Sequence, residues 1–195
     1  MRFVRTARAV RDALGQRHRY AHTLRVARMA ARLARAHGAD AARAREAGLL
    51  HDLARLMPAS ELVRACADRG MPVDAFERAN PVVLHARLGA EMARERFGIE
   101  DEAVLSAIRK HTLADPVMSP LDAIVYLADG LEPGREFADR PALADLAMHD
   151  LDAGMRAMLR SSMAYEARSG RTPAPQTLAA ARTYGVLPAE ETNPA

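Results

Sequence analysis

Apolar residues recur every three or four positions along almost the whole chain, and only short stretches containing glycine or proline interrupt this spacing. The spacing is typical of amphipathic helices, because residues three and four apart share one helix face, whereas strands alternate strictly. The segments that we predict to be helical are 3–14, 18–37, 41–56, 60–69, 74–79, 82–97, 101–112, 119–131, 140–168 and 176–184. No alternating segment and no fixed-period repeat separates them, so the sequence predicts a single all-α domain built as a helical bundle.

Length and cysteine content bound the class of protein. At 195 residues the chain is long enough for one sizeable core, and we expect a domain over 1–187 followed by a flexible tail over 188–195. Its only cysteine, Cys66, excludes an internal disulfide and is typical of a reducing cytoplasm. Neither a run of about 18 apolar residues nor a signal-peptide pattern is present. We therefore expect a cytoplasmic protein with no membrane partner.

The charged side chains are nearly balanced, with 28 basic against 25 acidic residues and a net charge of +3. All the basic residues except Lys110 are arginine, and most are interleaved with Asp and Glu, as on solvated helix faces. An Arg-rich helical module that binds nucleic acid is one alternative interpretation. Aromatic residues make up only 4% of the chain and no recognised nucleic-acid-binding motif is present, so we expect no nucleic-acid partner.

The dipeptide His-Asp occurs twice, in GLLHDLA around His51 and in LAMHDLD around His149. On a helix, His149 shares a charged face with Asp145, so we expect it to be solvated. The first dipeptide is surrounded by apolar residues on nearly every side, which predicts a buried helix. A buried carboxylate costs several kcal/mol unless it is paired or bound to a metal, so Asp52 requires a partner.

Other polar residues also interrupt apolar helix faces, and together they predict a shared site. The six inward-facing residues, on five predicted helices, are His22, His51, Asp52, His85, His111 and Asp129. Facing helices of a bundle that project imidazoles and carboxylates inward are a known way to build a metal site. A bundle without metal, a third interpretation, leaves these six residues unexplained.

The donor types indicate which ions such a site would take. Four imidazoles and two carboxylates without a thiolate suit Fe, Mn, Zn, Co or Ni. Six protein ligands are too many for one open catalytic ion and fit two ions that share a bridging carboxylate, for which Asp52 is the natural candidate. Such a pair generates hydroxide near neutral pH and stabilises a phosphoryl transition state, which indicates hydrolysis.

The order of these residues resembles the HD-domain superfamily of metal-dependent phosphohydrolases. The stretches RYAHTLRVARMAARLARAHGAD, AGLLHDLAR, KHTLADPVMSPLDAIVYLADGLEPGR and PAPQTLAAARTYG are similar to the YqeK-type family, the bacterial symmetrical bis(5'-nucleosyl)-tetraphosphatases. The similarity runs from about residue 2 to residue 187. It implies a single HD-domain helical bundle with a central, iron-containing centre of two metal ions, and cleavage of diadenosine tetraphosphate to two ADP through a metal-bridging hydroxide.

The resemblance also assigns residues to roles. The implied ligands of one ion are His22, His51, Asp52 and Asp129. The implied ligands of the second are His85, His111 and the bridging Asp52. The residues implied to hold phosphates are Arg55, Lys110, Thr112 and Arg135, of which Arg55 and Lys110 are also predicted to take part in catalysis together with Asp52.

Two departures from the family pattern leave the nucleotide preference open. Leu113 and Ala114 stand where the family usually has Thr-Gly, and Gly130 stands where it usually has a bulkier residue. Another HD-type nucleotide phosphatase or phosphodiesterase, with the same ligands, is therefore the main alternative. The apolar seam of the segment 140–168 is open to two interpretations, a homodimer surface or part of the core.

Overall fold

The computed structural model describes residues 2–189, which form helices joined by short turns and contain no strand within that range. The helices are α1 (Arg2–Leu14), α2 (Arg17–Ala36), α3 (Ala41–Leu50), α4 (Ala59–Ala67), α5 (Ala75–Ala79), α6 (Leu84–Phe97), α7 (Glu102–Lys110), α8 (Pro120–Leu131), α9 (Arg140–His149), α10 (Leu151–Arg168) and α11 (Pro175–Thr183), with a 3-10 turn over Pro81–Val83. The predicted all-α class is confirmed. The predicted tail, 188–195, lies almost entirely outside the described residues.

Side-chain caps mark where α3 and α8 begin. Asp40 precedes α3, and its carboxylate accepts hydrogen bonds from the backbone N–H groups of Ala42 and Arg43. Ser119 and Asp122 form a capping box at the start of α8, each side chain accepting from the other residue's backbone N–H. Because free N–H groups at a helix start are costly unless they are bonded, these caps hold each start at one residue.

The predicted helix over 41–56 was too long. α3 ends at Leu50, and residues 51–57 continue as a succession of turns in which the backbone bonds run from residue i to i−3. The N–H of Leu53 bonds to the carbonyl of Leu50, and that of Arg55 bonds to the carbonyl of Asp52. These turns keep helical direction while tightening the chain, which is why the sequence periodicity continued past the real end.

The predicted helix over 140–168 is two helices. Asp150 has an extended backbone between α9 and α10, and its carboxylate caps the N–H of Ala153 at the start of α10. The apolar seam of this segment packs inward, since Ala147, Met155 and Leu159 are completely buried in the core of the described chain. The seam is therefore accounted for by core packing, and a homodimer stays a prediction.

The helices α2, α3, α7 and α8 pack against one another around the centre of the bundle. At the crossing of α2 and α3, a Cβ atom placed on Gly48 would lie 3.0 Å from the Cα of Ala27. Glycine therefore sets how closely these two helices approach. No helix in the range 2–189 combines the length and the apolar character that a membrane crossing requires.

Candidate metal centre

Asp52 lies between two pairs of imidazoles. Its Oδ2 atom is 3.5 Å from Nε2 of His51 and 3.7 Å from Nε2 of His22. Its Oδ1 atom is 3.4 Å from Nε2 of His85 and 4.0 Å from Nε2 of His111. Bond lengths of about 2.0–2.2 Å to one ion place neighbouring ligand atoms roughly 3–3.5 Å apart. The two carboxylate oxygens thus face two different groups of donors at nearly that spacing.

Asp129 and the His85–His111 pair complete the two groups. The Oδ1 atom of Asp129 lies 3.0 Å from Nε2 of His22 and 3.7 Å from Nε2 of His51. On the other side, the Nε2 atoms of His85 and His111 are 3.1 Å apart. The structure therefore brings together all six residues that the sequence singled out, from five different parts of the chain. His149, in contrast, is exposed, as expected.

Three of the imidazoles are oriented by the backbone of their own turn. Each Nδ1 donates to the carbonyl three residues earlier in the chain. The acceptors are Gly48 for His51 at 2.8 Å, Val82 for His85 at 2.5 Å and Ile108 for His111 at 2.7 Å. Because a carbonyl can only accept, the ring proton sits on Nδ1 and the lone pair of Nε2 points into the centre.

The fourth imidazole is oriented by a buried carboxylate. Nδ1 of His22 lies 3.0 Å from Oε1 of Glu132, which is almost completely buried. Glu132 is itself held by Arg25, at 2.5 and 3.1 Å, and by the backbone N–H of Gly134 at 2.6 Å. A Cβ atom on Gly134 would lie 2.4 Å from the Arg25 guanidinium, so glycine is needed there for this contact. Metal-binding histidines typically carry such a partner on the second ring nitrogen.

The protonation states of the centre fit a cation. Burial, followed by the neighbouring His51 and His85, lowers the pKa of His111 to about 3, which keeps this ring neutral at pH 7. Burial opposes ionisation of Asp52, but the surrounding imidazoles outweigh it and hold the pKa of this carboxyl far below its usual range. Nε2 of His51 is wholly buried and has no hydrogen-bond partner among the described residues. An ionised carboxylate at Asp52 beside the neutral imidazole of His111 belongs to the donor set that divalent transition-metal ions take.

Two arginines contact the carboxylates of the centre through their guanidinium groups. Nη1 of Arg19 lies 3.1 Å from Oδ2 of Asp52. Arg135 donates from Nη2 to Oδ1 of Asp129 at 2.5 Å and from Nε to the Asp129 carbonyl at 2.9 Å. Arg19 was not among the predicted site residues, although it precedes His22 by three residues and so shares its helix face. Glu132, which follows Asp129 by three residues at the end of α8, was not predicted either.

The other residues predicted to hold phosphates have different surroundings. Thr112 is close to the centre, with Oγ1 3.1 Å from Nε2 of His111. Lys110 donates from Nζ to the carbonyl of Val117 at 2.5 Å and lies 3.2 Å from the buried Asp122 carboxylate, so it ties α7 to the start of α8. Arg55 is partly buried in the turns that follow α3. The phosphate-binding roles of these residues stay predictions.

A cleft of about 650 Å³ opens beside the centre, which is within the range of small-ligand pockets. At one end it is bordered by His111, Thr112 and Asp129. Its walls are the C-terminal half of α8, the loop over 135–139 and the C-terminal half of α10. The centre therefore communicates directly with a space large enough for a nucleotide.

The sequence profile described as HD domain matches residues 19–134, a range that contains all six candidate ligands. The chain belongs to the HD-domain family. This confirms the resemblance drawn from the sequence. The family's profile begins at Arg19, the arginine that contacts Asp52.

Relatives of this HD-domain protein match most of its length. It is 34% identical to the Bacillus subtilis protein named "Bis(5'-nucleosyl)-tetraphosphatase, symmetrical" over 160 residues, which cover 82% of this chain and 86% of the relative. It is 36% identical to the protein of the same name from Halalkalibacterium halodurans over 174 residues, covering 89% and 91%. The HD-domain chain thus also belongs to the family of these relatives.

A solved structure has the same fold. It is described as a predicted HD superfamily hydrolase involved in NAD metabolism from Clostridium acetobutylicum, and it covers 93% of this HD-domain chain and 96% of its own. The TM-score is 0.89 and the sequence identity is 32%. The predicted HD-domain fold is therefore confirmed over nearly the whole molecule.

The buried carboxylate of Glu132 yields a prediction on metal affinity. Burial opposes its ionisation, but the hydrogen bonds from Arg25 and His22 outweigh it and lower its pKa to about 2. Glu132→Gln keeps the size but removes the negative charge beside His22. We expect metal affinity, measured by competition with a chelator, to fall about 10- to 100-fold. The exposed Glu61→Gln serves as control, and unchanged affinity in Glu132→Gln would contradict the positioning role.

Proposed function

We propose that this HD-domain protein hydrolyses diadenosine tetraphosphate symmetrically to two ADP. The observation that carries the proposal is the position of Asp52, whose two oxygens face two separate pairs of imidazoles. This arrangement is suited to two adjacent ions, and phosphoanhydride hydrolysis is a reaction that such ion pairs support. The names of the relatives from Bacillus subtilis and Halalkalibacterium halodurans favour the dinucleoside tetraphosphate as substrate.

The ligand assignment follows the two groups of donors. One ion would be held by His22, His51, Asp52 and Asp129. The second would be held by His85, His111 and the other oxygen of Asp52. When bound there, divalent cations lower the pKa of a coordinated water and neutralise charge on phosphate oxygens. We propose iron as the native metal from the family resemblance, with Mn, Co, Ni and Zn as the alternatives that the same donors allow.

The side chains around the centre position the polyphosphate. In symmetrical cleavage, water adds to one of the two central phosphorus atoms and gives up a proton. The bond from that atom to the oxygen shared by the two central phosphorus atoms breaks, so one ADP leaves and the other carries the new oxygen. Arg135 and Arg19 place guanidinium groups on the carboxylates that line the reaction site, where they can also pair with phosphate oxygens. Thr112 offers a hydroxyl donor at the rim of the cleft. Arg55 and Lys110 stay candidates for holding phosphates and for taking part in catalysis, and Lys110 has to leave Asp122 to reach a phosphate.

The test is an anaerobic incubation of the iron- or manganese-loaded protein with diadenosine tetraphosphate, followed by ion-exchange chromatography of the products. We expect ADP as the sole nucleotide product. ATP together with AMP would keep a phosphohydrolase but overturn symmetrical cleavage. Absence of turnover in a protein that holds two metal ions per chain would favour the alternative, another HD-type nucleotide phosphatase or phosphodiesterase. Absence of both turnover and metal would overturn the site itself.

A further inference from the structure

Glu166, on α10, carries an unsatisfied carboxylate oxygen in the wall of the cleft. Its Oε2 atom is buried and makes no hydrogen bond with any described residue. Buried polar atoms in native structures nearly always have a partner, and an exception calls for an explanation such as an absent ligand. Burial raises the pKa of this carboxyl, although the nearby Arg171 acts in the opposite direction.

Along α10, Glu166 lies further from the metal centre than Met158, the residue that packs against Gly130 beside Asp129. A Cβ atom placed on Gly130 would lie only 2.4 Å from Cε of Met158. This part of α10 therefore packs directly against Gly130, the residue that follows Asp129. One turn further, Ser162 lies beside the buried Tyr126. Glu166 follows Met158 by eight positions, which corresponds to about 12 Å along the helix axis.

Besides the cationic Arg168 and Arg171, the surroundings of Glu166 include aromatic surfaces that suit the nucleoside of a nucleotide. Tyr165 is 57% exposed at this end of the cleft, with the Arg171 guanidinium 5.2 Å from its ring centroid, and Phe137, which also lines the cleft, is 36% exposed. Such aromatic surfaces favour stacking of a base. A carboxylate repels phosphates, so in a cleft for a polyanion it must face a part of the substrate that carries hydrogen-bond donors.

We propose that Glu166 is a specificity-determining residue that accepts hydrogen bonds from the nucleoside of the bound nucleotide. The donors are either the ribose hydroxyls or the N–H groups of the base, which are two sources of the same chemistry. The proposal rests on the proposed function, because it places the phosphates at the metal centre and the nucleoside further along the cleft.

The experiment compares the binding of ADP and of inorganic pyrophosphate to the manganese-loaded protein by titration calorimetry. Glu166→Gln removes the charge and keeps the size of the side chain. We expect ADP to bind about tenfold more weakly to this variant, because a charge-assisted hydrogen bond is lost, and pyrophosphate to bind as before. Glu136→Gln is the matched control, since it removes an equal charge from an exposed position on the same cleft.

The outcomes separate the donor sources. A loss that disappears with 2'-deoxy-ADP assigns the contact to the ribose, whereas a loss that persists there and changes in size with GDP assigns it to the base. Equal ADP affinity in Glu166→Gln and wild type would overturn the proposal, as would an equal loss for pyrophosphate or for Glu136→Gln. ADP binding that depends on Glu166, in a protein that does not cleave diadenosine tetraphosphate, would overturn the proposed function alone.

Discussion

Replacing Asp52 with alanine is expected to lower the rate of diadenosine tetraphosphate hydrolysis by at least about 10³-fold and to reduce the metal content at both positions of the centre. The physical reason is that each oxygen of this one carboxylate faces a separate pair of imidazoles, at 3.4–4.0 Å. Loss of a ligand that faces only one position would instead lower the metal content of that position first. The measurement is metal analysis of the purified variant together with the rate of ADP formation.

The control for this experiment is Asp145→Ala, on the exposed face that carries the second His-Asp dipeptide. It should retain both metal content and turnover. Asp52→Asn, which keeps the size of the side chain and only loses its charge, separates ligand loss from a packing defect. An Asp52→Ala protein that retains full metal and turnover would show that Asp52 does not bridge the two positions.

Replacing Gly48 with valine is expected to destabilise the bundle by about 3 kcal/mol, which lowers the unfolding midpoint by roughly 6–12 °C. A Cβ atom at this position meets the backbone of α2, at 3.0 Å from the Cα and 3.2 Å from the N of Ala27. Backbone cannot move aside as a side chain can, so α2 and α3 must separate. His22 lies on α2, His51 directly follows α3, and their ring centroids are 5.3 Å apart, so we also expect weaker metal binding.

Thermal unfolding and chelator competition measure the two effects of Gly48→Val. Ala164→Val, at an exposed position of α10, is the control for placing valine in a helix, where its propensity is lower than that of alanine but higher than that of glycine. It should shift the midpoint by a few degrees at most. A midpoint for Gly48→Val that equals that of the control would mean that the crossing of α2 and α3 tolerates a larger side chain.

Some elements of the structure could be read from the sequence, because their cause is local. The periodicity placed nearly every helix within a few residues of its position, and proline or a capping residue marks starts such as those of α3 and α8. Polar residues on otherwise apolar helix faces indicated His22 and His85 as inward-facing, since burial of a helix face is a local property. One error lies after Leu50, where tight turns keep helical direction, and the other at Asp150, where one extended residue separates two helices without breaking the apolar pattern.

The candidate site shows the same division. The sequence by itself determined the all-α class and which six side chains point inward, because both follow from the spacing of residues along single helices. Only the tertiary structure decided that each oxygen of Asp52 faces its own pair of imidazoles, that Glu132 orients His22 and that Lys110 pairs with Asp122. These contacts join residues from different helices, and their geometry depends on how closely the helices cross, which no local pattern records.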